Sequence, residues 1–332
     1  MFESTIKSII SPFAWRNGMT DDACHRLVYL LSHPKSFLYD YLCRLAKDWR
    51  KDDSRLLYNG VLSIPDRDAV QFGDELAFLK TLTLDDFTIR PIYAYPQVRE
   101  FPEVQAGIDT NGALPYVLHH NKRLYFPKEM PLDAVKNLYC SYMYKEGITG
   151  CGCFAKSPHC YQSNSFKVEK GDVVLDVGSA EGMFALDSIE MASRVYVFEA
   201  GDTWRAANTA TFRPFGDQAV VVHKFVGGET HGQCIRLVDA LKNEPNNASY
   251  FIKMDIEGSE RVVLKTSLDF LKTHKVKIAC TVYHRPDDAK FIQGLLEGNG
   301  FATEFSEGYT LTDMYGAQYP YFRKCLIRAK NY

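Results

Sequence analysis

The chain has 332 residues, enough for one large or two modest domains, and its 46% hydrophobic content can supply a sizeable core. A formal net charge of −2 gives no basic footprint of the kind a nucleic-acid binder needs. The nine cysteines are odd in number and scattered, which fits reduced thiols in a cytoplasmic protein rather than a disulfide framework, and no apolar run approaches the ~18 residues of a membrane span.

Taken in order, the chain opens with Ile6, Ile9, Ile10 and Phe13 at helical spacing. Glu3 and Lys7 interrupt them, so the piece reads as a docking helix and not a signal-peptide core. Thr20 or Asp21 caps a helix with Leu27, Leu30 and Leu31 on its apolar face. Pro34 breaks it, and Phe37, Tyr41, Leu42 and Leu45 begin a second helix. His25 and His33, which lie here, read as surface or packing residues. Asp74–Lys80 reads as a helix and Phe87–Tyr95 as extended chain. Pro115–His119 and Arg123–Phe126 flank a polar His-Asn-Lys turn, the pattern of a β-hairpin. A helix from Pro131 to about Lys145 follows. Cys151, Cys153, His159 and Cys160 then invite a zinc reading, but C-x-C followed by an adjacent His-Cys lacks the C-x₂₋₄-C spacing of structural zinc sites. The stretch is expected to be a loop over the mouth of the site described next.

That site centres on Gly171–Ala200. Val173–Val177 is a β-branched apolar run of strand length. Asp176, Gly178 and Gly182 give D-x-G-x-x-x-G at its carboxyl end, where glycine lets backbone come close to a ligand. Phe184–Met191 reads as a helix and Arg194–Phe198 as a second strand ending on Glu199. An acid about twenty residues past the glycine turn of a βαβ unit can accept hydrogen bonds from a ribose diol. A dinucleotide would need G-x-G-x-x-G, but Ala180 and Met183 stand where its glycines belong, and Glu181 would repel phosphate. S-adenosylmethionine fits better, because it has a ribose and a cationic end and no phosphate.

Strands and helices keep alternating after Glu199. Trp204–Phe212 reads as a helix, Ala219–Val226 as a strand, Ile235–Leu241 as a short helix and Tyr250–Met254 as a strand. Glu257–Leu271 reads as a helix, Val276–Val282 as a strand and Asp288–Asn299 as a helix stopped by Gly300. Phe301–Phe305 and Tyr321–Arg328 close the chain as two strands. The pattern predicts an α/β doubly wound sheet with a carboxyl-terminal antiparallel hairpin. Ligands of such sheets bind beyond the carboxyl ends of the strands, where Asp176, Glu199, Asp255, Glu257 and His284 all fall.

At this point the residues resemble a known family, the FkbM S-adenosylmethionine-dependent methyltransferases. The resemblance rests on GDVVLDVGSAEGMFAL, VYVFEA, YFIKMDIEGSE, YHRPDD and the terminal YFRKCLIRA, with SPHCY and LYFP as in a subgroup. It covers about residues 115–330. It implies a class I, Rossmann-like methyltransferase fold and O-methylation, often of sugars in polysaccharides, glycolipids or natural products. By position, the cofactor motif falls on Asp176, Gly178, Ser179, Glu181 and Gly182, with Glu199 as ribose ligand. The D-x-E-G motif falls on Asp255, Glu257 and Gly258, and His284 takes the polar position after the fifth strand. Met183 and Cys160 depart from the family pattern, which often has Asn and Arg there.

A hydroxyl acceptor calls for a base, and His284 is the first candidate, with Asp255 second. The alternative is a divalent cation held by Asp255, Glu257 and His284. Residues 115–332 are expected to form the methyltransferase domain. Residues 1–114 carry none of its motifs yet are too apolar for disorder, and are expected to be an accessory region that selects a small-molecule or glycan acceptor. The rival readings are a non-catalytic scaffold on the same fold and an NAD-dependent oxidoreductase. A nucleic-acid methyltransferase is disfavoured, since there is neither a basic excess nor a [DNS]-P-P-[YFW] motif.

Overall fold

The computed structural model describes residues 59–64, 70–81, 83, 103–110, 112–146, 158–311 and 322–332. The expected amino-terminal helices with His25 and His33, the extended segment Phe87–Tyr95, and Cys151 and Cys153 lie outside the described residues. The chain divides into two compact units, residues 1–96 with 308–323, and residues 97–307 with 324–332.

In the first unit a helix runs over Gly73–Leu79, close to the expected bounds, with Asp74 and Glu75 at its positive end. Phe72 stacks on Phe322 at 4.6 Å between ring centroids and meets Tyr309 edge-on at 4.8 Å. Thr310–Leu311 pairs antiparallel with Phe322–Arg323.

The second unit is built on a seven-stranded sheet. Its strands are β1 (Val173–Val177), β2 (Arg194–Phe198), β3 (Ala219–Val222), β4 (Ser249–Met254), β5 (Lys275–Thr281), β6 (Ala302–Phe305) and β7 (Leu326–Lys330). They lie in the order 6-7-5-4-1-2-3, and β7 alone runs against its neighbours. This is the expected doubly wound, Rossmann-like sheet, with the expected antiparallel strand at its carboxyl-terminal end. The chain adds β2 and β3 on one side of β1, then returns to add β4 and β5 on the other. Strand order therefore reverses between β1 and β4, which opens a crevice at their carboxyl ends.

β1 is buried at all five positions, because helices cover both faces of a parallel sheet. Alternate side chains enter opposite layers. Leu175 and Val177 pack with Ile252, Met254, Ile278 and Cys280 on one face. Val174 packs with Phe166, Phe184, Phe251 and Ala279 on the other. The same alternation sends Asp176 into that second layer.

Outside the main sheet, Pro115–His119 and Lys122–Tyr125 form the expected hairpin, extended by Ala106–Ile108. Its turn residues His120 and Asn121 take φ of 46° and 64°, as a two-residue turn matched to strand twist requires. A helix follows over Leu132–Glu146.

Three elements differ from the sequence reading. The expected strand Ala219–Val226 stops at Val222, and Phe225–Gly227 instead pairs with Cys234–Arg236 in a separate ribbon. The expected helix Glu257–Leu271 is two helices, Glu260–Thr266 and Leu268–Thr273. Glu257 and Gly258 have φ of 55° and 93°, which delays the first helix to Glu260. The expected strand Tyr321–Arg328 splits because Phe322–Arg323 belongs to the first unit and Leu326–Lys330 to the sheet.

Candidate active site

β1 delivers Asp176 and the glycine turn to the crevice. Asp176 is fully buried, and its Oδ1 lies 2.9 Å from Nζ of Lys253, its register partner on β4. Its Oδ2 accepts from the N–H of Ala185 at the start of the following helix. Lys253 also donates to the carbonyl of Gly178 at 2.5 Å. Asp176 and Lys253 thus fix the turn from beneath.

The turn itself is shaped by the protein's own backbone. Gly178 has φ of 79°, and a Cβ there would fall 1.9 Å from the carbonyl oxygen of Asp255. The expectation was a glycine that lets backbone approach a ligand; here it lets β1 approach the end of β4. Gly182, with φ of 84°, leaves room for the Phe212 ring, which a Cβ would meet at 2.7 Å. Asn208 donates to the carbonyl of Ala180. Ser179 and Glu181 are buried in the turn, and Ser179 Oγ and Asn208 Oδ1 have no hydrogen-bond partner among the described residues.

Glu199 ends β2 beside this turn. Its carboxylate accepts from the N–H of Ala180 at 2.9 Å and of Gly201 at 2.6 Å. Burial raises its pKa above the ordinary carboxylate value, against the pull of those two bonds.

Asp255 ends β4, with its side chain 19% exposed, and stands between two histidines. Its Oδ2 accepts from the Tyr161 hydroxyl at 3.0 Å and lies 3.5 Å from Nε2 of His159. Its Oδ1 lies 3.5 Å from Nε2 of His284. Burial works to raise the pKa of Asp255, yet His159, His284 and Lys253 outweigh it and hold the carboxyl far below its usual range.

His284 is fully buried, and its Nδ1 lies 3.1 Å from Oε1 of Glu260. The same oxygen accepts from the N–H of Ile256 and from the Thr281 hydroxyl. Burial disfavours a charged imidazole, but Glu260 and Asp255 prevail and raise the pKa of His284 to about 9. A pKa raised in this way favours the protonated ring at neutral pH. His159, also buried, is raised to about 10, with Cys325 and Asp255 overcoming the effect of burial.

Of the expected residues, the structure gathers Asp176, Gly178, Ser179, Glu181, Gly182 and Glu199 around the turn, and Asp255 and His284 beside it. Glu257, with its side chain 71% exposed, brings Oε2 to 3.6 Å from Nε2 of His284, about as near as Oδ1 of Asp255. The compact metal-ligand set is Asp255, Glu260 and His284, whose ligand atoms lie within 4.8 Å of one another.

The family model described as the methyltransferase FkbM domain matches residues 158–303. Residues 158–303 are thus similar to a methyltransferase FkbM domain. Among solved structures, a methyltransferase FkbM from Methylobacillus flagellatus is 19% identical with a TM-score of 0.39. That alignment covers 49% of this chain and 44% of the other, less than half its length. A precorrin-6y C5,15-methyltransferase from Geobacter metallireducens is 14% identical over 49% of this chain and 83% of that one, with a TM-score of 0.34. An rRNA methylase from Streptococcus thermophilus is 10% identical over 49% and 88%, also at 0.34. The search of curated proteins found no match.

Within residues 158–303, sequence reasoning passed over Lys253, Glu260 and Tyr161. Lys253 had a signal, a cation inside the apolar run Tyr250–Met254. Glu260 looked like an ordinary first-turn acid of the helix that follows it. No helix among the described residues is long and apolar enough to cross a membrane.

Proposed function

We propose that the protein is an S-adenosylmethionine-dependent O-methyltransferase acting on a sugar hydroxyl of a polysaccharide, glycolipid or glycosylated natural product. The observation that carries this reading is positional. Within the FkbM domain, the glycine turn, Glu199 and Asp255 all stand at neighbouring strand ends. The turn fits a nucleoside with a cationic tail. Ser179 Oγ and Asn208 Oδ1 are buried polar atoms without partners among the described residues, and Glu199 and Glu181 supply negative charge. Glu199 would hold the ribose, and the turn from Gly178 to Gly182 would hold the amino-acid end. When bound, the cofactor supplies an electrophilic methyl group on a sulfonium.

The chain's own part is to orient the acceptor and take its proton. Asp255 is the partly exposed, ionised group at the crevice, and in this reading it accepts the hydrogen bond of the acceptor hydroxyl. A weak base suffices, because a hydroxyl oxygen gaining a methyl group becomes strongly acidic and releases its proton late. His284 holds Asp255 ionised and fixed from one side, and His159 with Tyr161 does so from the other. Glu260 keeps His284 protonated. His284 is therefore a positioning cation, and Asp255 the proton acceptor.

Residues 1–114 are proposed to select the acceptor, and residues 115–332 to carry the chemistry. A near-neutral charge supports a glycan or small molecule over nucleic acid. The test is mass spectrometry of candidate glycans incubated with the protein and methyl-labelled cofactor. A mass gain of one labelled methyl, lost in Asp255→Asn, supports the reading. Labelled transfer to RNA, or calorimetry showing no S-adenosylmethionine binding, overturns it.

A further inference from the structure

We infer that His119, His120 and Asp187 form a surface site for a divalent first-row cation, with Zn²⁺ the expected occupant, separate from the crevice at the strand ends. The three side chains present ligand atoms within 4.8 Å of one another. Nε2 of His119 lies 2.5 Å from Oδ1 of Asp187, and Nε2 of His120 lies 3.6 Å from the same oxygen.

Consecutive residues of a strand point to opposite faces. His119 ends its strand, while His120 takes the first turn position with φ of 46°. That left-handed conformation brings both rings to the same side, with centroids 4.3 Å apart.

Nδ1 of buried His119 is hydrogen-bonded to the Tyr139 hydroxyl at 2.9 Å, which fixes the ring with Nε2 directed at Asp187. Metal-ligating histidines are generally oriented through the other ring nitrogen in this way. The neighbouring Lys122 is bonded to Glu190. Ligands of a tetrahedral Zn²⁺ at ~2.0–2.1 Å stand about 3.3 Å apart. The His120–Asp187 separation is near that value, and the His119–Asp187 pair must open by less than about 1 Å to admit the ion. His120 and Asp187 are both open to solvent, which leaves a coordination position for water.

Two histidines and a carboxylate with an open position suit Zn²⁺ or another first-row ion better than Ca²⁺ or Mg²⁺, which prefer oxygen ligands. The ion would join the hairpin Pro115–Tyr125 to the helix Met183–Ser188, which leads directly from the glycine turn. Its role would be to brace that helix.

The test is calorimetric titration of Zn²⁺ into the full chain, stripped with EDTA and dialysed, near neutral pH. The wild type should bind one ion saturably and melt at a higher temperature with Zn²⁺ than with EDTA. His120→Ala changes an exposed ring and should keep the fold by circular dichroism. It should bind at least about tenfold more weakly and lose the thermal shift. Glu260→Gln, which alters the other ligand set, should bind as the wild type does. No saturable binding below about 100 μM overturns the proposal. So does wild-type affinity in His120→Ala, or loss of binding in Glu260→Gln alone.

Discussion

Glu260 controls the charge of a residue that sequence motifs alone mark as the base. Buried Glu260 and Asp255 raise His284 to about 9, well above the ordinary value of 6.5. A group whose pKa is raised on folding contributes stability that is complete below its unfolded pKa and is lost as pH rises through the folded one. The contribution of His284 should therefore fade between neutral pH and about 9, by at most roughly 3 kcal/mol. Thermal denaturation across that range should show the fall in wild type, and a shallower one in Glu260→Gln. Glu260→Gln should also move the alkaline limb of the rate profile to lower pH, because His284 then releases its proton earlier. Glu199 yields a second outcome. Glu199→Ala loses a charged acceptor, and hydrogen bonds to charged groups contribute roughly 1.5–3 kcal/mol, so S-adenosylhomocysteine affinity should fall about tenfold to a hundredfold. Glu199→Gln can still accept from Ala180 and should fall less; titration calorimetry on both variants checks this. At this scale the site was half legible. Asp176, Glu199 and Asp255 announce themselves by standing after apolar runs. Glu260 does not, because its partners Thr281 and His284 arrive with the next strand.

The glycine turn shows what local pattern reveals and what it hides. β1 and β2 match the sequence reading because a short β-branched run between polar residues has few other uses. The turn's location was equally plain. Its reason was not, since the atom Gly178 avoids belongs to a residue far along the chain. Gly178→Ala should consequently damage the fold rather than only the cofactor site. Contact with Asp255 O and a positive φ together predict a loss of roughly 3 kcal/mol or more, read as a lower melting temperature with cofactor absent. Ser179→Ala makes the contrasting case. It removes a buried hydroxyl without a partner among the described residues, so melting should hold or rise while cofactor affinity falls. The breaks after Val222 and after Arg323 were invisible for a similar reason. The residues remain good strand formers, and only their pairing partners show that the ladder has ended.

For the whole molecule, the division into units does not follow chain order. Residues 308–323 leave the sheet between β6 and β7, although Ser306 N–H bonds to the carbonyl of Leu326 at 3.0 Å. Because those two positions touch, a short glycine-containing linker can join 307 to 324. A chain without residues 1–96 and so joined should fold and bind S-adenosylmethionine, but should fail to methylate the acceptor if the removed unit selects it. Circular dichroism, calorimetry and product analysis check the three parts. Cutting at 114 instead would strip Ala106–Ile108 from the hairpin and should cost stability. The placement of β7 also bears on synthesis. It is the last of the seven strands along the chain, yet it lies between β5 and β6 and hydrogen-bonds to both. A nascent chain that has emerged only through β6 has two strands waiting on either side of an empty lane. On the ribosome, the sheet that holds the glycine turn must therefore stay open at that lane until its final strand is made.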